Sequence, residues 1–250
     1  MGRARLAPVE WSSGYREFDP GVALRHAIHC LWISVMPAGR GEPVRVLPDA
    51  CTDLIWQSGA GAFVAGPDTG PAPDTRPPGT VLVGARFRPG AGGAALGVPL
   101  SELLDQRVDA ADLPAVPGSR LPGSLAPAEA WRRMARIAAE MVTERPPDPL
   151  VLDAARLLAR PGGRADLAAA RLGIGERQLR RRCQAAVGYG PRMLTRVLRF
   201  RRFLARVEVA GTADLAGLAA ETGYADQAHL TRESTRLAGL PPAALVRSRR

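Results

Sequence analysis

The sequence of 250 residues contains no lysine, although it carries 34 basic side chains and a net charge of +10. Every one of those cations is therefore an arginine, whose planar fork donates paired hydrogen bonds to a phosphate, a carboxylate or a guanine edge. A GC-rich coding sequence, which also writes abundant alanine, glycine and proline, accounts for the missing lysine. It does not account for where the arginines fall. Residues 151–250 hold nineteen arginines against eight acidic residues, whereas residues 1–150 hold fifteen against sixteen. The excess sits in one part of the chain and points to a polyanion, either nucleic acid or an acidic membrane surface.

Cysteine is scarce. Cys30, Cys51 and Cys183 are an odd and dispersed set, which excludes a disulfide framework and fits a reducing compartment. No apolar run reaches the roughly 18 residues of a membrane span. The basic start, residues 1–5, is followed by Pro8, Glu10 and two serines instead of an apolar stretch. No signal peptide is expected, and the expected location is cytoplasmic. Catalytic signatures are missing too. There is no Gly-x-Ser-x-Gly, no metalloprotease helix, and the run Gly90-Ala91-Gly92-Gly93 lacks the Lys-Ser/Thr of a phosphate loop. A non-enzymatic protein without cofactor or metal is expected.

What is present divides the chain. Residues 27–36, 44–47, 53–57, 62–65 and 80–87 are short β-forming runs with turn signals such as Gly66-Pro67-Asp68 and Pro77-Pro78-Gly79 between them. Such spacing predicts a sandwich or small barrel. Residues 99–104 open a short helix, and the Pro- and Gly-rich residues 114–127 read as a linker. Residues 127–144 follow as a helix with Trp131, Met134, Ile137 or Ala138 and Met141 on one stripe. The stripe either packs on its own domain or serves a homodimer. Helical segments are then expected over 149–159, 165–172, 176–187, 191–207, 214–222, 226–237 and 242–246, with glycine or proline in nearly every gap. The domain expectation is a β-rich sensor at 1–115, a linker and amphipathic helix at 116–148, and a helical domain at 149–250.

Two stretches of the helical part repeat one design. In residues 166–182, Ala169 is small where a second helix must cross, and Gly173 supplies a turn that needs a positive φ. Leu167, Leu172, Ile174 and Leu179 are expected to share a small core, leaving Arg177, Arg180 and Arg181 outward. In residues 214–232, Ala219 and Gly223 repeat the Ala–Gly pair. Asp226 suits a helix N-cap, and Gln227, His229 and Arg232 point outward. The intervening helix of about 17 residues spans roughly 25 Å, of the order needed to place two reading helices about one DNA turn apart, roughly 34 Å.

On these motifs, and on the closing stretch from Gly223 to Glu233 followed by Ala238-Gly239-Leu240-Pro241-Pro242, residues 150–250 resemble the AraC/XylS DNA-binding domain. The resemblance implies seven helices, two insertions into the major groove of double-stranded DNA, and contact with RNA polymerase. Carried over by position, it implies base reading by Arg177, Arg180 and Arg181 on the first recognition helix and by Gln227, Ala228, His229 and Arg232 on the second, Ala228 offering only a methyl. Each arginine could instead hold a phosphate, as could His229. Arg182 is expected to be a phosphate contact, and Arg196, Arg199, Arg201, Arg202 and Arg206 to be solvated or phosphate-facing. Three positions depart from the pattern: Cys183 and Ser234 stand where an aromatic is usual, and Gly175 where a Ser or Thr cap is usual.

Residues 46–56, Gly66-Pro67-Asp68-Thr69 and residues 84–91 resemble an uncharacterised β-rich domain found ahead of such readers. By fold-level analogy it is a cupin-like sensor of an unknown small-molecule effector. The fold class expected is thus α+β multidomain: a β-rich cupin-like domain, then an all-α seven-helix domain with two helix-turn-helix units. Within the front half, His26 and His29 are expected on opposite faces of a strand. Asp49, Cys51 and Asp53 are expected on one face, where carboxylates raise a thiol's pKa. Arg86 and Arg88 share a face of the 80–87 strand and suit either an anionic effector or a solvated edge. Two other classes compete. A repair enzyme fused to such a reader would need a four-cysteine zinc site, which three dispersed cysteines cannot supply. A non-specific polyanion binder would show no preference among DNA sequences.

Overall fold

The computed structural model describes residues 14–37, 44–74, 76–210 and 214–248. Alternation builds the front half. Strands β1 (Gly14–Phe18), β2 (Ile28–Val35), β4 (Thr52–Gln57), β5 (Gly61–Ala65), β7 (Val81–Phe87) and β8 (Arg107–Asp109) form one antiparallel sheet in the order β1-β2-β7-β4-β5-β8. β3 (Val44–Val46) and β6 (Ala72–Asp74) form a separate two-stranded ladder. Because side chains alternate across a strand, Leu31, Ile33, Leu54, Trp56, Val83, Ala85 and Phe87 share one buried face. A bulge between Ile28 and Cys30 keeps Ile28 on that face as well.

Helix α1 (Gly92–Leu96) begins within the Gly-rich run, and the short helix expected at 99–104 is a single 3-10 turn, Leu100–Glu102. Helix α2 (Pro127–Glu144) then lays the stripe Trp131, Met134, Ile137, Ala138 and Met141 on the sheet, each at most 4% exposed. Trp131 meets Phe18 edge-on at 4.8 Å. Burying such side chains stabilises by about 1.5–3 kcal/mol each. The stripe thus serves the domain's own core, and the dimerisation use open to it in the sequence is closed. Residues 114–127 are no free linker either: Leu121 is buried, and Trp56 Nε1 donates to the Pro122 carbonyl at 2.9 Å.

The rest is helical: α3 (Pro149–Leu158), α4 (Ala165–Arg171), α5 (Glu176–Val187), α6 (Pro191–Ala210), α7 (Leu215–Thr222), α8 (Gln227–Ala238) and α9 (Pro242–Ser248). None of the helices among the described residues is long and apolar enough to cross a membrane. The core of this half reaches into the front half, taking in Ala50 with Leu47 and Leu104 at its margin. The seam is tight. A Cβ on Gly93 would fall 2.7 Å from the Ala185 carbonyl, and one on Gly188 (φ +93°) 2.5 Å from Pro67. Glycine there lets two backbones meet.

Candidate nucleic-acid interface

The first helix-turn-helix unit consists of α4 and α5. Gly173 turns between them at φ +66°, a conformation that costs a β-carbon-bearing residue about 1–2 kcal/mol. Ala168, Ala169 and Leu179 are buried, with Leu172 and Ile174 packed at the margin. Leu167 is 59% exposed. Its expected core role is thus corrected: the alanines that follow it in the same turn take the inward face. Gly175 begins α5 without any side-chain cap bond, as its identity dictates.

The second unit, α7 and α8, is capped at both starts. Asp214 accepts from the Gly217 N–H at 2.9 Å and Asp226 from the His229 N–H at 2.6 Å. Gly223 makes the turn at φ +85°. Cys183 and Ser234 are both fully buried, and the Ser234 hydroxyl has no hydrogen-bond partner among the described residues. Burial pushes the Cys183 thiol up to about 11, so it sits as a neutral, small core residue.

On α5, Arg177, Arg180 and Arg181 are exposed, and none makes a hydrogen bond or ion pair among the described residues. Arg182, one residue on, does not fit the expected phosphate contact. It is half-buried and its guanidinium pairs with Asp148, which also caps α3 through the Leu150 N–H at 3.0 Å. On α8, Gln227, Ala228 and Arg232 are exposed. His229 is half-buried, its ring edge-on to Tyr224 at 5.3 Å and its Nδ1 accepting from the Ala225 N–H at 3.3 Å. With Nδ1 accepting, a neutral ring presents Nε2–H as a donor.

Of the five arginines of α6 expected to be solvated or phosphate-facing, Arg206 is exposed as expected, and all five also have partners within the fold. Arg196 forks onto Glu233 of α8 at 2.7 and 3.0 Å. Arg206 pairs with Glu221 at 2.6 Å, and Arg202 donates to the Thr222 and Ala159 carbonyls. Arg199 lies 5.4 Å over the Tyr224 ring, and Arg201 reaches the front half, donating to the Asp49 carbonyl at 3.3 Å. A guanidinium's role depends on which acid or carbonyl the fold brings to it, and no sequence spacing carries that.

The front half departs from expectation at three places. His26 lies in the turn before β2, and with His29 it lines one cleft instead of opposite faces. Asp49 to Cys51 form a turn, with Ala50 at φ +65°, so Asp49, Cys51 and Asp53 do not share a strand face. Cys51 is nonetheless held well above an ordinary thiol, by burial first and by Asp49 second. Arg86 is ringed by Asp53 at 3.2 Å, Glu17 at 3.5 Å and Asp49 at 3.6 Å. Trp32 Nε1 also donates to Asp53, at 2.6 Å. Burial opposes the charge of Arg86, but Asp53 and Asp49 outweigh it and raise its pKa.

Residues 16–109 match the model of a Domain of unknown function (DUF6597). Residues 168–248 match the model of a Helix-turn-helix domain. No curated protein matches the chain. Among solved structures, it is similar to ToxT from Vibrio cholerae O395, with a TM-score of 0.45 and 10% identity over 86% of this chain and 95% of that one. It is similar as well to a second crystal form of Vibrio cholerae ToxT, with a TM-score of 0.45 and 7% identity over 94% of this chain and 98% of that one. The chain accordingly carries a helix-turn-helix domain at residues 168–248 behind a domain of unknown function at residues 16–109.

Proposed function

We propose that the protein reads DNA as a monomer-encoded pair, placing α5 and α8 in successive major grooves, and that a small molecule bound to the front half controls it. The observation that carries the reading is the contrast among arginines of one basic half. Arg177, Arg180, Arg181 and Arg232 are exposed on the two recognition helices without a partner among the described residues, while Arg182 and five of the six arginines of α6 are engaged. Exposed, unpaired guanidiniums suit guanine O6 and N7. The 20-residue α6 between the units is about 30 Å long, close to one DNA turn of roughly 34 Å. Gln227 supplies an amide for adenine, Ala228 a methyl contact, and His229 an Nε2–H donor.

Selection from a random DNA library with the full-length protein at near-physiological salt tests this. Enrichment of a site with two short elements about ten base pairs apart is expected. Binding without enrichment, falling steeply as salt rises, would instead identify a bulk-charge polyanion binder. Contact with RNA polymerase, part of the same regulatory reading, is tested by transcription from a promoter bearing the selected site.

A further inference from the structure

We infer that the loop of residues 66–71 in the front half is a spacer that fixes how far apart the two recognition helices stand, and so which spacing of two DNA elements the protein accepts. The inference deepens the paired reading above and rests on it for its consequence at DNA. Each recognition helix is closed by a glycine, α5 by Gly188 and α8 by Gly239, and each glycine abuts a proline of this one loop. A Cβ on Gly188 would fall 2.5 Å from Pro67 Cγ, and one on Gly239 3.5 Å from Pro71 Cγ. Only Asp68, Thr69 and Gly70 lie between the two prolines, whose rings stiffen the loop by locking φ near about −65°. The end of α8 has a second tie beside Pro71. Arg45 of β3 donates to the Ala238 carbonyl at 2.8 Å, and β3 pairs with β6, the strand into which Pro71 leads.

The loop is itself pinned to residues 103–107. The Thr69 N–H and hydroxyl donate to the Asp105 carboxylate at 2.6 and 2.7 Å. The Asp105 N–H donates to the Pro67 carbonyl at 3.0 Å, and the Gly66 N–H to the Gln106 carbonyl at 3.0 Å. Arg107 forks onto Asp68 at 2.9 and 2.8 Å. A Cβ on Gly66 would collide with the Leu103 carbonyl. Asp105 makes its bonds at φ +58°, a sparsely populated conformation that persists where the surroundings over-determine it.

The other element joining the two units is α6. A single strut leaves each unit free to roll about its axis, and α5 starts without a side-chain cap to steady it. A second connection across the far ends of α5 and α8 closes the frame. The separation matters because each added base pair moves the second groove by about 3.4 Å along the DNA axis and about a tenth of a turn around it. Pro67, Pro71, Arg45 and Asp105 are thus positioning residues, acting on DNA through α5 and α8.

The test uses the full-length protein and two variants. Asp105→Gly removes both bonds to Thr69 and accepts φ +58° without strain. Arg45→Ala releases the end of α8 alone. Spin labels on Gln184→Cys in α5 and Arg236→Cys in α8, both exposed positions, report the separation without DNA, since Cys30, Cys51 and Cys183 are buried. One narrow distance is expected in the parent and a broadened distribution in each variant. On DNA, the two elements of the selected site are moved one base pair closer together or farther apart. The parent is expected to lose about 10-fold or more in affinity, comparable to one mismatched position. The variants are expected to lose several-fold less, with binding to DNA bearing a single element unchanged. Thermal melts check that both variants fold. The spacer is refuted if the folded variants keep the parent's distance distribution or its spacing preference, and α6 alone would then set the separation. If selection enriches no two-element site, the paired reading falls and the label distances decide the spacer by themselves. If such a site is enriched and the variants match the parent, the spacer falls and the reader stands.

Discussion

The two helix-turn-helix units share a plan and differ in what holds them. The second unit is locally sufficient. Asp214 and Asp226 cap its helices, Arg196 and Arg206 clamp it to α6, and among the described residues Arg45 of the front half donates to its Ala238 carbonyl at 2.8 Å. The first unit has no cap on α5, and the inner side of α5 meets α1, the 3-10 turn and Pro67 of the front half. One reading head is therefore stabilised by its own sequence, and the other by the domain proposed to sense a ligand. The front half thus packs along the first recognition helix, and touches the second at the C-terminal end of α8.

Paired substitutions sharpen or break this contrast. Gly188 and Gly239 end α5 and α8 at φ +93° and +67°, but only Gly188 is pressed by its surroundings. Gly188→Ala is expected to cost about 2–5 kcal/mol from backbone strain plus overpacking. Gly239→Ala carries the strain alone, about 1–2 kcal/mol. Equal losses in urea unfolding would mean that the seam does not support the first unit. Arg181→Ala is expected to lower affinity for the selected DNA site by about 1–3 kcal/mol and to relax preference at one base pair. Uniform weakening across all sequences would make it a phosphate contact.

Caps and cores give smaller effects. Asp226→Ala should destabilise by about 1 kcal/mol, whereas Gly175→Ser, which has open space for its side chain, should stabilise by a few tenths. Thermal melts of the two variants that moved in the same direction would contradict the assignment of caps. At the matching core positions, Cys183→Ala should cost about 1 kcal/mol by leaving a small void. Ser234→Ala should instead gain about 1 kcal/mol by removing a buried, unpartnered hydroxyl. A destabilised Ser234→Ala would reveal a partner for that hydroxyl in solution.

The helical half was legible because glycine and proline mark its boundaries. The expected segment 176–187 coincides with α5, and other ends move by only one to three residues. The front half was less so, for tertiary reasons. β1 is mostly exposed and shows no apolar alternation. β6 contains Pro73, which pairs with Arg45 in a two-stranded ladder where a missing N–H is tolerated. α1 begins with two glycines that local propensity sends to a loop, yet Gly92 lies against Thr52 and Gly93 against Ala185, and packing overrides propensity. In the interface, Arg177, Arg180, Arg181, Gln227, Ala228 and Arg232 are on the surface as the pattern of outward positions implies. Arg182 was not legible, because Asp148 lies 34 residues away in the chain and meets it only in the fold.

The glycines at the seam also limit how this chain can be recombined. A reader joined by genetic shuffling to a foreign front half would meet new atoms where Ala185 now meets Gly93 and where Gly188 meets Pro67. A chimera split at the start of α3 would keep every recognition side chain and still mispack α5. Interchangeable parts would therefore have to be cut on the far side of the join, with α1 and the 3-10 turn travelling with the reader whose surface they fit.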